Sequence, residues 1–331
     1  MTTAQTSLAQ ALERSHLPLI LDGGFGTMVQ RYGLKEEDFR GYRYRSLPGM
    51  LLGNNEMLNL TRPDVVGNIY KAYLEAGADI ISTNTFSANA ISQADYHCEH
   101  LVEDMNREAV RLARKAIEDS GREAYIVASV GPTNKSLSMS PDVNDPALRA
   151  ITFEELAEAY TQQMRTLIHE GVDAIMLETI FDTLNAKAGI YAMQEAMELE
   201  GKEVALMLSA TINDTSGRLL SGQTLEAFLI STAHAPLLSV GLNCSFGAED
   251  MLPSLRQLSR LIKESTLGHR HCFVSCHPNA GLPNSLGQYD VTPEQFAQSV
   301  LPMLEENLVD IIGGCCGTTP EHIKALSQLC R

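Results

Sequence analysis

The feature that most constrains the fold is a short apolar run that recurs eight times, each followed by a polar or glycine-rich turn and a helix-like stretch. Each run is continuously apolar rather than alternating, which is typical of parallel strands buried on both faces. The predicted strands are 18–22, 79–83, 124–130, 173–178, 204–210, 238–243, 272–276 and 309–313. Eight such units favour an α/β fold, a closed (β/α)8 TIM barrel, over an open sheet.

The segments between these runs predict the helices of the barrel. Thr61 is a plausible cap for a helix that begins at Pro63, and Thr152 and Thr292 each precede an acid or amide by three residues, as in a capping box. The predicted helices are 63–76, 101–119, 152–170, 182–200, 224–233, 248–264, 292–306 and 319–330.

Chain organisation follows from the connecting segments. No low-complexity linker interrupts the chain, so we expect one domain over 1–331. Two connections, 23–62 and 131–150, are long irregular loops after strands one and three. Both lie at the carboxyl ends of strands, where barrel enzymes carry their active sites.

Charge and composition exclude several classes of function. The net charge of −16 argues against nucleic acid and against an anionic membrane surface as partners. There is no apolar run of about 18 residues, so no membrane span is expected. The first 16 residues lack a basic start and an apolar core, so we expect no signal peptide. Seven cysteines, two of them adjacent, fit free thiols or metal ligands in a reducing cytoplasm.

Three cysteines follow predicted strands. Cys244 comes after strand six, and Cys315 and Cys316 come after strand eight in a Gly-Gly-Cys-Cys-Gly segment. Only one strand separates strands six and eight in a closed barrel, so the three thiols converge at one mouth. Three protein ligands and an open position are typical of catalytic zinc. The simpler alternative is that these thiols are small buried apolar groups.

Other residues bear on that site. Adjacent cysteines aim at one ion only from an irregular backbone, and the glycines at 313, 314 and 317 allow one. Cys276 or His277, at the end of strand seven, could close the site as a fourth ligand. Cys98, Cys272 and Cys330 are interpreted as packing residues.

The ends of strands one, two, four and six carry candidate substrate-binding groups. Asp22 can accept hydrogen bonds from an ammonium, and the turn after it offers successive backbone N–H groups to a carboxylate. That turn contains Gly23, Gly24, Phe25, Gly26 and Thr27. Glu178 lies among apolar residues and needs a partner, either a substrate ammonium or a structural group. Asn84 and Asn243 could orient the substrate or brace the metal ligands.

These motifs resemble a known family. The Asp-Gly-Gly-x-Gly-Thr start at 22–27, the three cysteines and the Gly-Gly-Cys-Cys-Gly-Thr-Thr-Pro end at 313–320 resemble the homocysteine S-methyltransferases. The segments 53–56, 141–146, 178–187, 221–224 and 277–284 are more specifically similar to the N-terminal homocysteine-binding module of the cobalamin-dependent methionine synthases. The resemblance extends from about residue 19 to residue 322.

The resemblance implies a zinc-bearing barrel that methylates homocysteine to methionine. It assigns Zn2+ to Cys244, Cys315 and Cys316, the amino group to Asp22 and Glu178, and the carboxylate to the turn 23–27. Because zinc deprotonates a coordinated thiol, its expected role is to generate the nucleophile. Methylcobalamin and 5-methyltetrahydrofolate would enter only through cobalamin-binding and folate-binding modules, in cis or in trans.

Two alternatives stay open at this point. One is a free-standing homocysteine methyltransferase that uses S-methylmethionine or betaine as the methyl donor, which the chain length favours. The other is a non-catalytic, zinc-stabilised module that binds a thiol or a partner protein.

Overall fold

A closed sheet forms the centre of the molecule. The computed structural model describes residues 8–214, 216–264 and 272–331. The expectation of no signal peptide concerns residues 1–16, and the first seven of these lie outside the described residues. Within the described residues, eight parallel strands pair in the order β1-β8-β7-β6-β5-β4-β3-β2. A parallel bridge between Leu21 and Ile80 joins the two ends of this order. The predicted (β/α)8 barrel is therefore confirmed.

The strands match the eight predicted runs, with different ends. They are β1 Leu19–Ile20, β2 Ile80–Ser82, β3 Tyr125–Val130, β4 Ala174–Ile180, β5 Ala205–Ala210, β6 Leu237–Gly247, β7 Phe273–Asn279 and β8 Ile311–Ile312. The site described below lies at the carboxyl ends of β1, β4, β6 and β8, with β3 and β7 beside it. Of these, β6 and β7 continue past their predicted ends, because irregular pairing extends them into the mouth of the barrel.

Helices surround this sheet. They are α1 Leu8–Arg14, α2 Phe25–Arg31, α3 Glu36–Arg40, α4 Leu58–Thr61, α5 Pro63–Ala76, α6 Ala90–Gln93, α7 Val102–Ser120, α8 Phe153–Glu170, α9 Thr183–Glu200, α10 Leu225–Thr232, α11 Ala248–Lys263, α12 Pro293–Glu305 and α13 Pro320–Leu329. The predicted helices correspond to α5 and to α7 through α13. In the described part of the chain, no helix is both long and apolar enough to cross a membrane.

The capping predictions have mixed outcomes. Thr152 and Thr292 each form a capping box with the residue three positions later, as predicted. Thr61 does not cap α5: the N-cap is Arg62, and the Thr61 hydroxyl donates to the Met57 carbonyl within α4.

Side chains of each strand alternate between two apolar layers. One layer fills the barrel and includes Val127, Met176 and Met207. The other packs between the sheet and the helices and includes Leu177 and Leu208. Burial on both faces is the physical reason that the runs are continuously apolar.

Helix α1 closes the amino-terminal end of the barrel, which the sequence pattern did not predict. Leu8 and Leu12 are buried and join the layer inside the barrel. Tyr125 and Phe273, the first residues of β3 and β7, pack against that layer. The barrel interior is therefore covered by α1 at the end opposite the predicted site.

The two long connections differ from one another. The segment 23–62 is not an irregular loop as predicted, because it contains α2, α3, α4 and a 3-10 turn at Asn55–Met57. The segment 131–150 has neither helix nor strand and is exposed from residue 141 onward. Asp182, the N-cap of α9, anchors its first part by accepting hydrogen bonds from Ser136 and Ser138.

Replacement of Leu12 by alanine tests the role of α1. Leu12 is 5% exposed, so its truncation leaves a cavity and should lower the free energy of unfolding by about 2–4 kcal/mol. Urea unfolding measures this as a lower midpoint with an unchanged slope. The matched control is Leu17→Ala, at a position that is 53% exposed, which should change stability by less than about 0.5 kcal/mol. Equal effects of the two substitutions would contradict the covering role of α1.

Candidate metal and substrate site

The three predicted cysteines lie together at the carboxyl end of the barrel. The Sγ atoms of Cys244 and Cys316 are 3.9 Å apart, and those of Cys315 and Cys316 are 4.0 Å apart. All three sulfurs lie within 4.8 Å of one another. Tetrahedral zinc with Zn–S bonds of about 2.3 Å separates its sulfur ligands by roughly 3.8 Å. The donor set therefore fits a zinc ion in both chemistry and spacing.

Cys244 is aimed at the other two sulfurs by an unusual backbone. Cys244 and Ser245 both have a φ of 62°, in the left-handed region. The β6–β7 register breaks between Asn243 and Gly247, so this part of β6 is free to leave the regular pleat. Non-glycine residues are uncommon in that region, and the strain they carry clusters at active sites and ligand-binding segments.

The loop that carries Cys315 and Cys316 is held by the end of β7. The Cys315 amide donates to the Pro278 carbonyl at 2.8 Å, and the Cys316 amide donates to Asn279 Oδ1 at 3.1 Å. Gly317 follows with a φ of 80°, which a glycine adopts without strain. The predicted use of glycine to aim two adjacent thiols is thus observed at this position.

The turn after β1 packs directly against the cysteine loop. A Cβ on Gly24 would lie 2.6 Å from the Cys315 carbonyl oxygen, so only glycine permits this approach. A Cβ on Gly23 would lie 2.8 Å from Thr318 Oγ1. The Gly24 amide donates to that same hydroxyl at 2.9 Å, and the Gly317 amide donates to Thr27 Oγ1 at 2.9 Å.

The remaining residues of the turn begin α2. The Phe25 ring lies 5.7 Å from the Tyr70 ring, and the nearest atom to a Cβ on Gly26 would be Asn55 Nδ2 at 3.7 Å. The predicted carboxylate cradle at 23–27 therefore lies beside the sulfur cluster, but Thr27 and Gly24 already take part in fixing the cysteine loop.

Asp22 is a buried acid in the mouth of the barrel. It is 4% exposed, and its Oδ2 accepts a hydrogen bond from the Ser82 amide at 2.8 Å. Burial raises the pKa of Asp22 to about 8, and the nearby charge of Glu178 adds to this effect. An arriving cation would relieve both causes, since it favours the ionised carboxylate.

Glu178 faces the same space from β4. The Ser129 hydroxyl donates to its Oε1, and His277 Nε2 lies 3.4 Å from its Oε2. Asp22 and Glu178, predicted to share one role, are thus brought within electrostatic reach of each other.

The two predicted amides are engaged with protein groups. Asn243 Oδ1 accepts from the Thr179 amide at 2.9 Å and from the Ser209 hydroxyl at 2.7 Å, and its Nδ2 donates to Thr179 Oγ1 at 2.8 Å. Asn84 Nδ2 donates to the Asn55 carbonyl and to Asn59 Oδ1. The sequence left two roles open for these amides, orienting the substrate or bracing the metal ligands. Their contacts with protein groups favour a bracing role.

The proposed fourth ligands at the end of β7 do not join the cluster. Cys276 faces the helices, with its sulfur 3.3 Å from Met251 Sδ, and His277 turns toward Glu178. Among the described residues, the group able to hold a metal contains only the three cysteines. Burial raises the pKa of the thiols that we interpreted as packing residues, which are Cys98, Cys272 and Cys330.

The three clustered thiols influence one another strongly. Hydrogen bonds from Cys315 and Cys316 lower the pKa of Cys244, and the contact with Cys244 raises the pKa of both partners. Ionisation of one thiol therefore opposes ionisation of the other two, and a divalent cation would favour the thiolate form of all three.

Two residues of the site were missed by sequence reasoning. Asn279 is 4% exposed, accepts from the Cys316 amide and hydrogen-bonds Cys244. The Tyr289 ring covers Gly317, and burial together with the adjacent Cys316 raises the pKa of Tyr289 to about 12. Both lie in or just after the segment 277–284, and its position between the two cysteine strands was the signal that could have identified them.

A large groove lies away from this site. It is an open groove of about 1050 Å³ on the outside of the barrel, lined by residues of α7, α8 and α9 such as Arg107, Arg165 and Glu200. None of the predicted site residues lines it. The chemistry of the three sulfurs and the two acids, rather than cavity size, identifies the candidate site.

Comparison with known proteins identifies the family. The family model of homocysteine S-methyltransferase matches residues 19–330. This chain belongs to the homocysteine S-methyltransferase family and is a methyltransferase.

Solved structures agree with this placement at the level of the fold. The metallated form of the homocysteine methyltransferase MmuM from Escherichia coli has a TM-score of 0.73 at 21% identity, over 97% of this chain and 99% of that chain. The oxidized form gives a TM-score of 0.72 at 19% identity, over 99% and 100% of the two chains. The apo form gives 0.65 at 21% identity, over 96% and 97%.

Replacement of Gly24 by alanine tests the contact between the β1 turn and the cysteine loop. The added Cβ meets the Cys315 carbonyl at 2.6 Å, so the loop must shift and zinc affinity should fall roughly 10-fold to 100-fold. Zinc competition with a chromophoric chelator measures the change. Gly26→Ala is the matched control, since its Cβ has 3.7 Å of clearance and affinity should be retained. Equal zinc affinity in the two variants would contradict this contact.

The titration of Asp22 gives a second prediction. Its pKa of about 8 exceeds that of the unfolded chain, so the folded state keeps a proton that the unfolded state releases. The contribution of this carboxyl to stability is therefore largest at low pH and falls as the pH rises from about 4 to about 8.

Asp22→Asn removes that titration. Urea unfolding of metal-free wild type and variant at about pH 5, 7 and 9 should show the wild type losing stability relative to the variant as the pH rises. A difference between the two proteins that does not change with pH would show that Asp22 ionises normally.

Proposed function

We propose that this chain transfers a methyl group to the thiol of homocysteine, giving methionine, with zinc held by Cys244, Cys315 and Cys316. The observation that carries the proposal is the cluster of three sulfurs 3.9–4.0 Å apart along two of its edges. Two acids in the same mouth, the buried Asp22 and the partly buried Glu178, support an amino-acid substrate over a simple thiol. Membership of the family supports homocysteine as that amino acid.

The cysteine set leaves room for the substrate. Three protein sulfurs satisfy three positions of a tetrahedral ion and leave one open. When bound, zinc supplies a deprotonated, nucleophilic thiol at neutral pH. Asn279 and the glycine-rich loop hold two of the sulfurs in place, and the left-handed backbone at Cys244 holds the third.

The acids bind the other end of homocysteine. The substrate ammonium offsets the nearby charge of Glu178 and lowers the pKa of Asp22 from about 8, so that Asp22 ionises beside it. Because both groups are shielded from water, each contact is stronger than on the surface. Within the turn 23–27, the backbone amides other than that of Gly24, which donates to Thr318 Oγ1, receive the substrate carboxylate at the start of α2.

The methyl donor is proposed to be methylcobalamin, delivered by a cobalamin-binding module and recharged through a module that binds 5-methyltetrahydrofolate. The sequence segments 53–56, 141–146 and 277–284 support this donor. A free-standing enzyme with a small donor such as S-methylmethionine or betaine is the second candidate. Its support is the fold that this chain shares with the homocysteine methyltransferase MmuM, at a TM-score of 0.73.

Turnover assays separate these donors. The zinc-loaded protein with homocysteine should form methionine from methylcobalamin and not from S-methylmethionine or betaine, as measured by mass spectrometry. Cys316→Ser should reduce the rate by roughly 100-fold or more, because it removes a metal ligand. Cys272→Ser, whose sulfur lies outside the cluster, serves as the matched control and should retain activity.

Each donor pattern decides between the candidates. Turnover with the sulfonium or betaine alone would replace the cobalamin proposal by the free-standing enzyme. Homocysteine binding without turnover from any of the three donors would support the non-catalytic thiol-binding module.

A further inference from the structure

We infer that His277 is a positioning residue of the homocysteine site, which holds Glu178 in place to receive the substrate ammonium. The inference rests on the proposed function, in which Glu178 binds that ammonium. His277 lies on β7, the strand between those that carry the cysteines. It faces the amino end of the proposed substrate rather than the sulfur end.

The contact between His277 and Glu178 crosses the barrel. Their strands, β7 and β4, are separated in the sheet by β6 and β5, so the two side chains meet over the interior. His277 Nε2 lies 3.4 Å from Glu178 Oε2, and the Ser129 hydroxyl, from β3, donates to Oε1. The carboxylate is thus bordered on one side by a neighbouring strand and on the other by His277.

The burial of His277 is unusual for a side chain with so few partners. The residue is 3% exposed, yet neither ring nitrogen has a hydrogen bond to any protein group in the described residues. The 3.4 Å approach to Glu178 is an electrostatic contact without hydrogen-bond geometry. A buried imidazole in this state costs free energy, and a bound ligand is one of the partners that can complete its environment.

The polar residues beside His277 make a different set of contacts from those of His277 itself. Asn243, the register partner of His277 on β6, hydrogen-bonds Thr179 and Ser209. Asn279, two residues along β7, hydrogen-bonds the cysteine loop. These amides fix the backbone of the site, whereas the polar contact of the His277 side chain, among the described residues, is with the acid proposed to bind substrate.

This geometry determines which substrates His277 affects. Homocysteine and 4-mercaptobutanoate share the thiol and the carboxylate, but the latter lacks the amino group. A residue that acts through Glu178 contributes to the binding of the first and not of the second. A residue that merely supports the fold affects both.

The experiment measures binding of the two thiols to zinc-loaded protein by isothermal titration calorimetry, so no methyl donor is needed. For His277→Ala, the Kd of homocysteine should rise roughly tenfold, while that of 4-mercaptobutanoate changes by less than about twofold. His277→Gln restores an N–H donor and should recover part of the loss. Zinc content should match the wild type in both variants.

A double-mutant cycle with Glu178→Gln tests the route of the effect. Once Glu178 is neutral, removal of His277 should weaken homocysteine binding by less than about twofold. An equal loss for both thiols, or no loss for homocysteine, would overturn the role of His277. The preference for homocysteine is the ratio of the two Kd values, 4-mercaptobutanoate over homocysteine. If Glu178→Gln removes this preference but neither His277 variant reduces it, the role of His277 fails and the proposed ammonium site stands. If Glu178→Gln leaves the preference intact, both the proposed ammonium site and the role of His277 fail.

Discussion

Closure of the eight parallel strands is the constraint on which the rest of the structure depends. The bridge between Leu21 and Ile80 completes the ring, and the carboxyl ends of β1, β4, β6 and β8 then surround one opening. Residues far apart in the chain become neighbours for this reason. The sulfurs of Cys244 and Cys316 approach to 3.9 Å, and Asp22 lies near enough to Glu178 to respond to its charge.

A second constraint couples the metal ligands to the substrate-binding turn. Gly24 presses against the Cys315 carbonyl, Thr318 bridges the two segments, and Thr27 accepts from the Gly317 amide. The turn and the cysteine loop are therefore joined by direct contacts. These contacts set the separation between the groups proposed to bind the sulfur and the carboxylate of one substrate, so a thiol with a shorter or longer chain would fit less well.

The sequence predicts the barrel well because its pattern reflects local physics. Strands buried on both faces must be apolar throughout, and the positions of three cysteines after two of these strands place them in one mouth. The segment 23–62 was predicted less well, since its short helices depend on distant contacts such as those of Arg40 with the Leu47 and Gly49 carbonyls. Propensity alone does not encode such contacts.

The finer features of the site were also beyond sequence reasoning. The left-handed backbone of Cys244 is disfavoured for that residue, so no local rule predicts it. The sequence indicated Glu178 as a candidate ligand of the substrate ammonium and His277 as a possible fourth ligand of the metal. Their contact joins strands that are not neighbours in the sheet and becomes visible only in three dimensions.

The position of α1 has a kinetic consequence. Leu8 and Leu12 cover the amino-terminal end of the barrel, so the site opens at the opposite end. The methyl acceptor and any methyl donor must then enter through the same open end of the barrel. A donor large enough to cover this end would block entry and exit of the acceptor. Binding would therefore be ordered: the acceptor binds before the donor, and the methylated product leaves after the spent donor has dissociated.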